Sequence, residues 1–215
     1  MALLQRKYRG HIEGRLNFWP AYVDLMVVLA LTSLFAYSAS EGYRSRVEKY
    51  KEDAEKIMLV MEQKLKKEHI NLKRRGDGIV LGDSVLSFGT GEVTPLMSES
   101  QNEIFLGICR AIKGSIDEVE NGRQSFEIVI EGHTDAVPIH TGIFPSNWEL
   151  SAARATNILR MMSDQDNCGM THDKYSLKAI GFGETKPIER TSGPSEKNRR
   201  IEVRLVPNYE KIEKM

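Results

Sequence analysis

Hydrophobic and polar positions fall into three regimes along this chain. From Leu16 to Tyr37 nearly every residue is apolar or small, and the one formal charge is Asp24. From Glu41 to Arg75 the chain is densely charged, and Tyr43, Val47, Tyr50, Ala54, Ile57 and Met61 recur at spacings of four and three. Beyond Gly78, short alternating runs and amphipathic runs follow one another, punctuated by Gly, Pro, Asn and Asp.

The first regime predicts a transmembrane helix over 16–40. As a helix, Leu16 to Tyr37 would extend roughly 33 Å, enough for a hydrocarbon core. A secretory h-region is shorter, about 7–15 residues, and Asp24 would spoil one, so an uncleaved anchor is expected although "SAS" at 38–40 resembles a cleavage site. Pro20 falls in the first turn, where a missing N–H is tolerated. Arg6, Lys7, Arg9 and Arg15 precede the span against Glu13 alone. The excess of positive charge places residues 1–15 in the cytoplasm and the bulk of the chain outside it. Trp19 and Tyr22 at one end, and Tyr37 and Tyr43 at the other, suit the two interfaces.

The 4–3 spacing of the second regime is that of an a/d seam. It predicts a helical linker over 41–76, either paired with a second copy as a parallel coiled coil or standing as one solvated helix. The glycines of "RRGDG" (74–78) are expected to close it.

The third regime predicts a compact domain over 77–207. "GIVLGDSVLSF" (78–88) reads as extended, "SESQNEIFLGICRAIKGSI" (98–116) as an amphipathic helix and "QSFEIVIEGH" (124–133) as a buried strand. "SNWELSAARATNILRMMSD" (146–164) reads as a second helix capped by Ser146 or Asn147 with Glu149 in its first turn. "YSLKAIGFG" (175–183) and "RRIEVRLV" (199–206) are further strands. The order β-α-β-α-β-β defines an α+β fold, a mixed sheet with helices on one face. Residues 208–215 form a tail.

Composition narrows the functions available. Lys+Arg and Asp+Glu are 30 each in 215 residues, so no net field argues for direct contact with nucleic acid. The mean hydropathy of −0.38 leaves most of the chain soluble. Cys109 lies in an apolar helical run and Cys168 in a loop-like "DQDNCGM"; such different contexts predict two free thiols rather than a bridge.

Two features carry chemistry. Asp24 lies eight residues into the span, roughly 12 Å deep, too far for easy snorkelling. An intramembrane carboxylate is expensive and marks a functional site by default. Alternating between charged and neutral forms, it can carry one ion at a time across a barrier; the alternative is a helix-packing hydrogen bond. In the domain, Asp135 follows a strand and Arg154 lies on the next helix. Converging at one rim, the acid could take an ammonium and the guanidinium a carboxylate bidentately. The alternative is a mere surface salt bridge between them, worth under about 1 kcal/mol.

The segments "IEGHTD" (130–135), "SNWELSAARA" (146–155), "AIGFGETKP" (179–187) and "KNRRIEVRL" (197–205) together resemble the peptidoglycan-binding domain of the OmpA C-terminal type, over about residues 78–206. The resemblance implies that Asp135 and Arg154 hold the diaminopimelate of the stem peptide, with Thr134, Ala136, Asn147 and Ser151 in support. The "VPIHTGIFPSNWELS" stretch resembles the longer, MotB-like version. One span containing "FWPAYVDLM", a helical linker and this domain resemble the B subunit of ion-driven rotary motors, the plan shared by MotB of flagellar stators and ZorB of Zorya anti-phage defence. That resemblance implies an inner-membrane, single-pass protein with a periplasmic domain. It further implies a homodimer inside a ring of multi-span A subunits, and Asp24 as carrier of a proton or sodium ion. The short charged linker, without a separate plug segment, points to the defence-type motor; a flagellar stator subunit and a passive wall tether are the alternatives.

No other motif competes. His133 and His140 beside Asp135 do not have the spacing of a metal site, and His133 is expected to make turn hydrogen bonds, so no metal is expected. "GFGE" (181–184) lacks the Lys-Ser/Thr of a phosphate loop and reads as a strand-end turn. Ser146 and Ser151 lack a nucleophile motif, so neither enzymatic activity nor a cofactor is expected.

Overall fold

The computed structural model describes residues 18–120, 124–139, 143–208 and 210. The predicted segment 1–15, His140 and most of the tail therefore lie outside the described residues. The chain forms two compact units, the first ending at Val47 and the second beginning at Glu48. Helix α1 (Trp19–Lys67) contributes to both.

In the first unit α1 exposes Leu25, Val28, Leu29, Leu34 and Phe35, apolar side chains that water would not favour. It is the one helix among the described residues long and apolar enough to cross a membrane. The hydroxyls of Thr32 and Ser33 donate back to the Leu29 carbonyl at 3.0 and 2.7 Å, so their polar groups are satisfied within the helix. Asp24 is exposed on this stretch.

In the second unit α1 changes role. Tyr50, Ile57, Met58, Met61 and Leu65 are buried in the core. Tyr50 meets Phe126 edge to face, with ring centroids 6.0 Å apart. The expected coiled-coil contact is thus replaced from Tyr50 onward by packing on the chain's own domain. Met58 and Leu65 explain why: they widen the a/d seam into the broad apolar face of a helix that covers a globular core.

The helix also ends earlier than "RRGDG". The His69 N–H donates to the Lys66 carbonyl (3.1 Å) and the Ile70 N–H to the Leu65 carbonyl (2.9 Å), with His69 at φ 57°. This is a left-handed C-terminal cap in which histidine stands where glycine is usual. "RRGDG" instead turns a hairpin between β1 (Lys73–Arg75) and β2 (Gly78–Leu81), with Gly76 at φ 63°.

The remaining elements are α2 (Glu99–Glu120), β3 (Phe126–His133), α3 (Asn147–Ser163), β4 (Ser176–Gly181) and β5 (Arg200–Pro207). The sheet order is β1-β2-β5-β3-β4, with β3–β4 parallel and the other pairs antiparallel. This is the predicted α+β mixed sheet with one extra edge strand. Ile128 and Ile130 of β3, and Ile201, Val203 and Leu205 of β5, join residues of α1, α2 and α3 in one core. Strand alternation sends Glu131, His133, Arg200, Glu202 and Arg204 to the opposite face.

Capping fixes the starts of α2 and α3. The Ser98 N–H donates to Gln101 Oε1 at 2.9 Å, and the Gln101 N–H donates to Ser98 Oγ at 3.3 Å, a reciprocal capping box. Ser146 Oγ accepts from the Trp148 N–H at 3.2 Å and donates to the Glu149 carboxylate. Cys109 and Cys168 are not free thiols: they form a disulfide with Cα atoms 5.4 Å apart. The loop after α3 turns back at Gly169 (φ 64°), and the Met170 N–H donates to the Met162 carbonyl at 2.9 Å, which brings Cys168 to α2.

Candidate functional site

Two glycines set the position of α3. Gly132 and Gly181 are partners in the parallel β3–β4 register. A Cβ on Gly132 would collide with the Ser151 carbonyl, and one on Gly181 would come 2.5 Å from the Ala152 backbone nitrogen. Glycine at both points lets α3 lie directly on the strands. Ser151 Oγ accepts from the Gly183 N–H at 2.9 Å, and the Gly183 carbonyl accepts from the Thr134 N–H at 2.9 Å. The ends of β3, β4 and α3 are therefore tied around Gly183, the turn read from "GFGE".

Beside this knot lies an open cleft of about 410 Å³, whose walls include Phe88, Thr134, Asp135, Asn147, Arg154 and Arg199. Four of the six domain residues expected at the site, Thr134, Asp135, Asn147 and Arg154, thus come together. Ser151 and Ala136 do not line it. Ser151 braces the turn beneath, with its hydroxyl donating to the Trp148 carbonyl at 3.0 Å. Ala136 is half-buried just after Asp135.

Asp135 and Arg154 are not spent on each other. Asp135 Oδ2 accepts from Arg199 Nη1 at 3.0 Å and from the Ser195 N–H at 3.4 Å, and its Oδ1 accepts from the Val137 N–H at 3.3 Å. Arg154 Nε and Nη2 donate to the carbonyls of Glu92 (2.8 Å) and Gly89 (2.9 Å), and the guanidinium sits 4.7 Å from the Phe88 ring centroid. Nη1 makes no hydrogen bond among the described residues. Burial, then the like charge of Arg199, pull the Arg154 pKa down to about 10, so it stays cationic at neutral pH. Asn147 Nδ2 donates to the carbonyls of Val137 (3.1 Å) and Asp135 (3.4 Å), holding the segment that carries the acid. Thr134 lines the cleft, and its buried hydroxyl has no hydrogen-bond partner among the described residues.

The cleft therefore presents a carboxylate and a guanidinium, each fixed by its own partners. That arrangement suits a small zwitterion or an amino-acid-like group. Sequence reasoning missed Arg199, Phe88 and the 89–92 carbonyls. Arg199 was within reach, since it lies in "KNRR". The 89–92 loop gives no side-chain signal because it contributes backbone oxygens. Nor does His133 make the expected turn hydrogen bonds: it ends β3, stacked on Phe182 with centroids 5.4 Å apart, and its Nε2 faces Glu131 Oε2 at 3.6 Å.

Fold and cleft define an α+β domain with an open cleft at one rim of its mixed sheet. Residues 107–200, which span β3, α3, β4 and the cleft residues from Thr134 to Arg199, match the model of the OmpA family. The chain is 31% identical over 175 residues to Motility protein B of Bacillus subtilis (strain 168), covering 78% of this chain and 56% of that protein. It is 32% identical over 131 residues to the uncharacterized protein YtxE of the same organism, covering 60% and 48%. The chain thus spans about half the length of these curated relatives. A putative MotB-like protein from Desulfovibrio vulgaris shares the fold, with a TM-score of 0.51 at 22% identity over 77% of this chain and 95% of that one.

Proposed function

We propose that this chain is the wall-anchored B-type subunit of an ion-driven rotary motor. The observation that carries the reading is one combination: a single acid in the otherwise uncharged, exposed apolar stretch of α1 before Glu41, in a chain that also carries an OmpA-like domain with a cleft for a zwitterion. Asp24 carries a proton or sodium ion supplied by a multi-span A-type partner, and two copies of this chain sit within the ring of that partner. The cleft grips the diaminopimelate of peptidoglycan, with Asp135 on its ammonium and Arg154 on its carboxylate. The span lies in the inner membrane with the domain on the periplasmic side. The Cys109–Cys168 bridge supports this placement, since disulfides persist in oxidising compartments. The chain acts by binding and conduction, not by catalysis.

The short stretch between span and domain favours a ZorB-like subunit of a Zorya defence system. Its burial from Tyr50 onward leaves still less chain for a separate plug. The 31% identity to Motility protein B favours the second reading, a flagellar stator subunit. The neighbouring genes separate the two: helicase- or nuclease-like genes mark defence, flagellar genes motility.

Asp24→Asn is the deciding variant. It should insert and bind sacculi normally while abolishing the activity of its system. Full activity in this variant would leave only a passive tether. Asp135→Ala and Arg154→Ala should each abolish sacculus pull-down, and undiminished pull-down would remove the wall site.

A further inference from the structure

A second, larger cavity of about 530 Å³ opens at the sheet edge formed by β1. Lys73, Arg74 and Arg75 of that strand line it with Lys197 and Arg200, against the two carboxylates of Asp83 and Glu196. The balance favours an anion. Two of the five cations supply field rather than bonds. Arg200 is buried and donates to Glu202 and to the carbonyls of Asn198 and Lys186. Arg74 is held by Glu55 and Glu62 of α1. The other three have donors to offer. Lys73 is exposed, and its ammonium makes no ion pair or hydrogen bond among the described residues. Arg75 commits Nη1 to Glu202 Oε1 at 2.8 Å and leaves Nε and Nη2 unbonded among the described residues. Lys197 pairs only with Glu189 on the surface, a contact of the kind worth under about 1 kcal/mol and readily exchanged. Leu72, Val80 and the half-exposed Ile188 give the cavity an apolar wall, which suits a peptide better than a free inorganic anion.

The cavity shares no lining residue with the zwitterion cleft, yet the two lie on either side of residues 194–200. Pro194 and Arg199 line the cleft, whereas Glu196, Lys197 and Arg200 line the cavity. Arg199 joins them: its guanidinium holds Asp135 Oδ2 of the cleft at 3.0 Å and faces Asp83 Oδ2 of the cavity at 3.7 Å. We propose that the cavity is a second subsite for the same wall peptide, taking a carboxylate-bearing arm that continues from the group held between Asp135 and Arg154. The inference rests on the wall-binding reading. An arm of about three residues, at roughly 3.3 Å each, covers the distance that one guanidinium bridges between Asp135 and Asp83. Lys73, Arg75 and Lys197 take its carboxylate, and the apolar wall takes its small side chains. Such a subsite separates a wall peptide from a free amino acid, which a cleft for one zwitterion does not. It also gives the three cations of β1 a task beyond guarding an open sheet edge.

The test uses the full chain in detergent and two probes titrated by calorimetry: free diaminopimelate, and soluble muropeptides released from sacculi by muramidase. The muropeptides should bind at least tenfold more tightly than the free amino acid. Lys73→Glu and Lys197→Glu, both at exposed positions, should each weaken the muropeptides at least fivefold and leave free diaminopimelate unchanged. Undiminished muropeptide affinity in both variants overturns the proposal and leaves β1 as a charged guard of the sheet edge. Equal loss of both probes overturns it too, since the variants then act through the cleft or the fold. Failure of free diaminopimelate to bind, with muropeptides still sensitive to Lys73→Glu, removes the cleft assignment and keeps the cavity. Binding of neither probe removes both.

Discussion

Arg199 governs how the cleft presents its acid. Its guanidinium holds Asp135 at 3.0 Å and approaches Asp83 Oδ2 at 3.7 Å, so one cation orients the carboxylate at the ligand site. Arg199→Lys keeps the charge but loses the planar fork. It should weaken sacculus binding roughly tenfold, the equivalent of one good hydrogen bond of about 1.4 kcal/mol, while leaving the melting temperature nearly unchanged. Arg154 gives a pH signature. Its pKa is depressed to about 10, below the ordinary arginine value, so the fold holds its proton less tightly than the unfolded chain does. Ionisation of Arg154 then contributes no change in stability through neutral pH. Above about 10, stability should gain while carboxylate binding is lost. Pull-down should be flat through neutral pH and decline as pH rises toward that value. The motifs made the convergence of Asp135 and Arg154 on one cleft legible, because an acid at a strand end and an arginine on the next helix can meet at the rim between them. They did not make Arg199 legible. Period-two alternation separates Arg199 from Arg200, but without the register of β5 it does not say which one turns toward the cleft.

At the scale of elements, contact between α3 and the sheet is the condition for the cleft. Gly132→Ala would drive a methyl into the Ser151 carbonyl, a backbone atom that cannot swing away. Overpacking of this kind costs about 1–3 kcal/mol, and sacculus binding should fall with stability because Arg154 rides on the displaced helix. Ser146→Ala removes the cap of the same helix and should cost about 1 kcal/mol in denaturant unfolding without touching the cleft. The Ser146 hydroxyl also holds the Glu149 pKa below its usual value, so that contact is intact at neutral pH and is lost as acid takes pH down through the depressed pKa. The second half of α1 gives the sharpest contrast between the two readings of one stripe. Ile57 is fully buried, so Ile57→Asp should unfold the domain at any protein concentration. A seam between two copies would instead show a concentration-dependent melt. The helices and strands were legible from their periods. The partner of this stripe was not, since a hydrophobic period shows that a face is covered but not by what.

For the whole molecule, the disulfide and the strand order set the terms of stability. Cys109 and Cys168 close a loop with a sequence separation of 59. Loop-closure entropy puts the stabilisation at roughly 4 kcal/mol, so Cys109→Ser or thiol reduction should lower the melting temperature by several degrees or more. That bridge was illegible beforehand because it depends on the return of one loop across α2. The mixed sheet itself was anticipated, apart from β1, whose three charged residues carry no strand pattern. Strand order has a consequence for biosynthesis. β5, the last strand in chain order, lies between β2 and β3 and pairs with both. The sheet cannot close until Arg200–Pro207 has been synthesised. Everything from Gly78 onward must wait, exposed, for that final segment. A nascent domain of this topology keeps its inner strand edges unpaired late into synthesis, which a sheet built in chain order does not.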